Sequence, residues 1–112
     1  MSVKKSVDIR FSEYQKLAMS TAIYPKEYSI YYPALGLSGE VGELNNKIKK
    51  RIRDNAELDK EDMKSELGDV LWYISALASD LGLDLGEVAA SNVDKLLRRK
   101  KNGTISGSGD LR

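Results

Sequence analysis

Four acidic residues in two pairs carry most of the chemistry this sequence offers. Glu40 and Glu43 form one pair, Glu66 and Asp69 the other, each at i, i+3 spacing. On a helix that spacing puts both carboxylates of a pair on one face. The pairs are also in matched register. If their segments fold back on one another about a turn at Asp54-Asn55, Glu40 faces Asp69 and Glu43 faces Glu66. Four converging carboxylates repel one another and lose hydration, so they are partly protonated or neutralised by a cation. A ligand set of carboxylate oxygens suits Mg²⁺, Mn²⁺ or Ca²⁺, not zinc or copper. The competing reading is a pair of solvated acidic faces, tied by helix pairs such as Glu43 with Lys47.

Composition closes off other chemistries. The chain has 112 residues with no cysteine and no histidine. It therefore has no disulfide framework, no thiolate nucleophile, no Ser-His-Asp triad and no Cys/His zinc site. Catalysis must rest on carboxylates, Lys/Arg, Tyr, water and a hard cation. Lys and Arg number 18 against 17 Asp and Glu, a net charge of +1, so no nucleic-acid partner is expected. The longest uncharged apolar stretch, Val70 to Ala78, is too short to span a bilayer. The basic N-terminus has no apolar core after it and does not read as a signal peptide; the expected compartment is the cytoplasm.

Polar residues around the acids add to the pattern. Lys47, one turn beyond Glu43, is placed to reach an anion beside a bound cation, whereas Lys49 and Arg53 fit a solvated basic face. Cationic groups next to a carboxylate–metal cluster are what a polyphosphate substrate requires. Asn92 falls within an apolar stripe, between Val88 and Leu96, where a buried amide needs partners. Those partners are either helix backbone and side chains, or a cluster acid or phosphate. Lys95 lies one turn away and reaches the same place. Trp72 faces opposite to its helix's apolar stripe and is expected at an oligomer interface or, second, a base-stacking surface. Tyr73 lies on the acid side, against a substrate base or at a core edge.

The elements that must position these groups are helices. Ser12 with Gln15 reads as a capping box opening a first helix with Tyr14, Leu17, Ala18 and Ala22 at helical spacing. Pro25 and Pro33 bracket a Tyr-rich loop. A second helix starts near Pro33, carries Leu37, Val41, Leu44, Ile48 and Ile52, and ends near Asp54-Asn55. Asp59 caps a third, with Met63, Leu67, Val70, Ile74, Leu77 and Leu81, stopped by Gly82. Asp84 opens a fourth, with Leu85, Val88, Ala89, Val93, Leu96 and Leu97, closed by Arg98 to Lys101. The expectation is one all-α domain over residues 1–112: four helices, a long antiparallel helical hairpin in the middle, and a Gly/Ser-rich tail from 102.

At these residues the chain resembles the MazG-like all-α nucleotide pyrophosphohydrolases. Their pattern is E-x-x-E, a spacer, then E-x-x-D, here Glu40-Val-Gly-Glu43 and Glu66-Leu-Gly-Asp69, set in GLSGEVGELNNKIKK and SELGDVLWYISALASDLG. FSEYQKLAMSTAIYP is similar to the family's N-terminal helix and KLLRRKKNGTISGSGD to its C-terminal segment, so the resemblance runs from about Phe11 to Arg112. One departure is Gly39, where some relatives carry an extra acid. The resemblance implies hydrolysis of a nucleoside triphosphate to the monophosphate and pyrophosphate, usually to sanitise the nucleotide pool. It implies Mg²⁺, with Mn²⁺ as a substitute, on Glu40, Glu43, Glu66 and Asp69. One carboxylate, Glu40 or Glu43, would take the proton of water. Lys47, Asn92, Lys95 and Arg98 would bind phosphates, and the GSGD tail would close over the site. It further implies a dimer or tetramer, that is, an oligomeric helical bundle. The alternative kept open is a non-catalytic helical interaction module.

Overall fold

A computed structural model describes residues 8–103. Among them are four α-helices and no strand: α1 (Phe11–Met19), α2 (Tyr31–Arg53), α3 (Lys60–Asp80) and α4 (Leu85–Lys101), with a 3₁₀ turn at Lys26–Tyr28 between α1 and α2. The GSGD segment lies outside the described residues.

Local chemistry sets most boundaries. Asp59 caps α3 by accepting from the backbone N–H of Glu61 and Asp62, satisfying two donors that the first turn leaves without partners. Asp84 caps α4 by accepting from Gly86 N–H. Between these helices Gly82 takes φ 73°, a left-handed conformation open to glycine. Pro33 is buried in the first turn of α2, where its missing N–H costs no hydrogen bond. The entry to α2 is tied from a distance: the Asp80 carboxylate accepts from Ile30 N–H at 2.9 Å and from the Tyr24 hydroxyl at 2.8 Å. These contacts hold Ile30 at φ 72°, a costly angle for a β-branched residue. Burial and then the Asp80 hydrogen bond push the Tyr24 hydroxyl pKa up to about 12.

The start of α1 departs from expectation. Its N-cap is Arg10, with no side-chain cap. Ser12 sits inside the first turn, and its hydroxyl donates to Asp84 at 2.8 Å. Gln15 donates to Ser79 Oγ and the Leu83 carbonyl, and accepts from Leu85 N–H. The two residues that read as a local capping box instead stitch α1 to the turn between α3 and α4. Packing brings stronger partners than the local backbone offers.

α3 is the hub: α2 packs on it, α1 packs on it and on α4, and α4 touches it lightly. Along α2 and α3 the contacts run in opposite senses. Lys47, late in α2, meets Asp62, early in α3, while Gly36, early in α2, lies against Tyr73, late in α3. The buried residues are mostly small, among them Ala18, Ser75, Ala76 and Ala78, with Leu85 and Pro33.

Two sequence readings of burial are overturned. The apolar stripes are not covered along their length: Val41, Ile52, Leu67, Leu81, Val88, Val93, Leu96 and Leu97 are all exposed. A small chain whose second helix rests mainly on one neighbour has too little surface to cover both sides of every helix. Trp72 does the reverse. It is half-buried, and its indole N–H donates to the Ala18 carbonyl at 3.2 Å and Thr21 Oγ1 at 3.0 Å. Its ring is edge-on to Tyr24 and Tyr73. The face of α3 opposite to its apparent stripe is covered by α1 and the Tyr-rich loop, so Trp72 packs within the chain. Among the described residues no helix is long and apolar enough to cross a membrane.

Candidate functional site

Three of the four i, i+3 acids converge between α2 and α3. Glu40, Glu66 and Asp69 each offer a carboxylate oxygen, and these oxygens lie within 4.8 Å of one another. Their surroundings grade from dry to wet: Glu66 is buried, Glu40 half-buried and Asp69 exposed. Lost hydration, then the charges of Asp69 and Glu66, push the Glu40 carboxyl above the usual carboxylate range. Glu66 Oε1 accepts from the Lys47 ammonium at 2.8 Å, while Oε2 is buried without a donor from the protein. A buried carboxylate oxygen lacking a donor, beside two further carboxylates, is an arrangement that a hard divalent cation would satisfy.

Glu43 points along the neighbouring face. It is exposed and lines a groove of about 500 Å³ with Gly39, Gly42, Asn45, Asn46 and Lys49. Its charge adds to the field at Glu40. Lys47 stands between carboxylates, 2.7 Å from Asp62 Oδ1 as well as 2.8 Å from Glu66 Oε1. Hydrogen bonds it donates to Asp62 and then to Glu66 hold its ammonium above the usual lysine range.

Beside the acids is a cleft of about 290 Å³ lined by Glu40, Asp69, Trp72 and Tyr73. A second cleft, of about 300 Å³, lies across the Trp72 and Tyr73 rings and is bounded by Tyr24, Tyr32, Thr21 and Pro25. Tyr24 and Tyr32 stack there at 4.9 Å, nearly parallel. Tyr73 is thus the wall between an acidic cleft and an aromatic one. Gly36 makes that position possible, because its missing Cβ leaves the space that the Tyr73 ring fills. Burial first, and Tyr32, Glu40 and Asp69 after it, raise the Tyr73 hydroxyl pKa. Tyr14 faces the same region: burial and the Asp69 charge raise its hydroxyl pKa.

The α4 residues lie elsewhere. Asn92 is exposed, not buried as its place in the stripe suggested, because the side of α4 that carries it has no covering helix. With Lys95 it lines a groove of about 470 Å³ that also includes Leu83, Asp84, Glu87, Val88 and Ser91 but none of the four acids. Arg98 is exposed in the last turn of α4. The chain therefore brings Glu40, Glu66, Asp69, Tyr73 and Lys47 together, and keeps Asn92 and Lys95 in a separate groove. Asp62, Tyr14 and Gly36 were not singled out from the sequence. Asp62 was within reach of the register argument, being one turn before Glu66 and opposite Lys47. Nothing local in the sequence marks Tyr14 or Gly36.

Comparison with known proteins agrees with this arrangement. Residues 33–104 match the model of the MazG nucleotide pyrophosphohydrolase domain, a span that includes all four acids. The "Gene 37 protein" of Mycobacterium phage L5 is 42% identical over 109 residues, covering 88% of this chain and 96% of the phage protein. No solved structure matches. With the domain match spanning residues 33–104 and three of the acids in it gathered in one cluster, the chain belongs to the MazG nucleotide pyrophosphohydrolase family.

Proposed function

We propose that this chain is a Mg²⁺-dependent nucleoside triphosphate pyrophosphohydrolase that converts (d)NTP to (d)NMP and pyrophosphate in the sanitising of nucleotide pools. The observation carrying this is the triad of carboxylate oxygens within 4.8 Å, one residue of which keeps a buried oxygen without a protein donor. Glu40, Glu66 and Asp69, with Glu43 from the next turn, would hold the cation. When bound, Mg²⁺ or Mn²⁺ would neutralise phosphate charge and make water more acidic. Water adds at phosphorus, the anhydride bond to the leaving pyrophosphate breaks, and the proton of water passes to a carboxylate. Glu40 and Glu43 are the two candidates for that acceptor. Tyr73 and Trp72 would bound the nucleoside beside the acids.

The long α2–α3 unit is read as an antiparallel hairpin, which the Lys47–Asp62 and Gly36–Tyr73 contacts support. The chain is read as a homo-oligomer, a dimer or tetramer, supported by the exposed apolar side of α4. In such an assembly Asn92, Lys95 and Arg98 of a second copy would supply phosphate contacts. The same exposed face also favours the second reading, a non-catalytic interaction module.

A panel of standard and modified dNTPs with Mg²⁺ or Mn²⁺ tests the enzyme reading. Pyrophosphate release from at least one is expected, and Glu43→Gln should abolish it with helicity intact. No release from any, together with no effect of either cation on melting temperature, would favour the interaction module.

A further inference from the structure

Lys47 reads in the sequence as a group waiting for a phosphate, and the fold places it between two carboxylates. Its ammonium is 2.7 Å from Asp62 Oδ1 and 2.8 Å from Glu66 Oε1, both charge-assisted hydrogen bonds. Lys47 and Asp62 are each about one-third exposed at the side chain, and Glu66 is about one-tenth exposed. The Lys47–Asp62 pair is therefore partly sheltered and reaches the acidic cluster through Glu66. The two oxygens of Glu66 are consequently not equivalent. Oε1 is committed to Lys47, and Oε2 is the buried oxygen with no protein donor.

We infer that Asp62 and Lys47 are positioning residues for the cation site: Asp62 anchors the Lys47 ammonium, which holds Glu66 by Oε1 and leaves Oε2 as the single oxygen offered to a divalent cation. A carboxylate on a helix has several rotamers, and an ion is bound tightly only if the productive one is fixed beforehand. Lys47 supplies that restraint from α2 to a ligand on α3, so the register of the two helices and the orientation of the ligand are set by one contact. It also offsets part of the repulsion that Glu66 feels from Glu40 and Asp69. This inference rests on the cation-site reading given under Proposed function.

The sign of the effect separates positioning from mere charge. Removing a positive group near an acidic site should by itself strengthen cation binding. Removing a group that orients a ligand should weaken it, by about 10–100-fold for outer partners of metal ligands. Lys47→Met keeps the apolar stem and deletes the ammonium. Asp62→Asn keeps the shape and removes the anchoring charge, and serves if Lys47→Met does not fold. Mn²⁺ affinity is measured directly on the full chain by calorimetry and electron paramagnetic resonance, with no nucleotide present. Expected are wild-type binding, a loss of about tenfold or more in Lys47→Met, a smaller loss in Asp62→Asn, and substantial recovery in Lys47→Arg, whose guanidinium can span both carboxylates. Tighter Mn²⁺ binding in Lys47→Met would reduce Lys47 to a bystander charge and overturn the inference. Unchanged Mn²⁺ binding with a raised KM for nucleotide would make Lys47 a phosphate ligand and also overturn it. Absence of Mn²⁺ binding in the wild type would instead overturn the cation-site reading, and this inference with it.

Discussion

Replacing Gly36 with alanine should destabilise the chain even though alanine is the better helix former. A Cβ built at residue 36 falls 2.5 Å from both Cδ1 and Cζ of Tyr73 and closer still to Cε1, far inside van der Waals contact. The obstacle is the body of a ring, not the tip of a flexible chain, so the ring or the α2–α3 spacing must shift. Overpacking of this kind costs about 1–3 kcal/mol. Displacing the ring also weakens its edge contact with Trp72, now at 5.1 Å between centroids, worth about 0.5–1.5 kcal/mol. Against this, alanine gains about 1 kcal/mol over glycine in a helix interior. The balance is a loss of about 1.5 kcal/mol, or a fall in Tm of roughly 6–12 °C for a domain near this size. Thermal unfolding followed at 222 nm measures it, and near-UV circular dichroism reports the Trp72 environment. The control is the same substitution in a Tyr73→Ala background. There the obstacle is gone, and Gly36→Ala should be neutral or stabilising by up to about 1 kcal/mol. An unchanged or raised Tm for Gly36→Ala with Tyr73 in place would refute the reasoning.

Three further outcomes are expected. Trp72→Phe removes an indole N–H shared between Ala18 and Thr21 and should cost about 1 kcal/mol in urea unfolding, with the m-value unchanged. Asp84 is held below the usual carboxylate range by the Ser12 hydroxyl and then by Gly86 N–H. Its contribution to stability is therefore complete above the unfolded-state pKa, near 3.9, and disappears as pH falls through the lower folded-state value. Accordingly, Asp84→Asn should lower Tm near neutral pH and narrow its gap to the wild type toward pH 2–3, in melting curves across that range. Finally, Leu97 is 59% exposed and Val93 53% exposed on α4. Analytical ultracentrifugation should find a dimer or larger species, and the double substitution to aspartate should shift it toward monomer; a wild-type monomer at micromolar concentration would contradict the oligomer reading.

How far the sequence reaches depends on whether the cause is local. The Asp59 and Asp84 caps and the Gly82 stop involve residues within a few positions of each helix end, and each is found where local rules put it. Ser12 and Gln15 obeyed a local rule equally well on paper. Their polar groups are instead taken by Asp84, Ser79 and Leu83, more than 60 positions away. The hydrophobic stripes show the same limit. Periodicity says which side of a helix is apolar, but a neighbour must exist for that side to be buried, and α4 lacks one along most of its length.

Residue types and spacing alone decided that the described elements would be helical, that any chemistry would rest on carboxylates, and that the acids come in i, i+3 pairs. Spacing on one helix fixes a shared face by the helical repeat, with no knowledge of packing. Only the tertiary structure decided how the four acids divide: three converge in one cluster, while Glu43 turns to the adjoining groove. It also decided that Lys47 is engaged by Asp62 and Glu66, that Tyr73 lies in the space of an absent Cβ, and that Trp72 looks inward. Each of these depends on the distance and rotation between two helices. Those are set by side-chain volumes meeting across an interface, a quantity that no single segment of the chain contains.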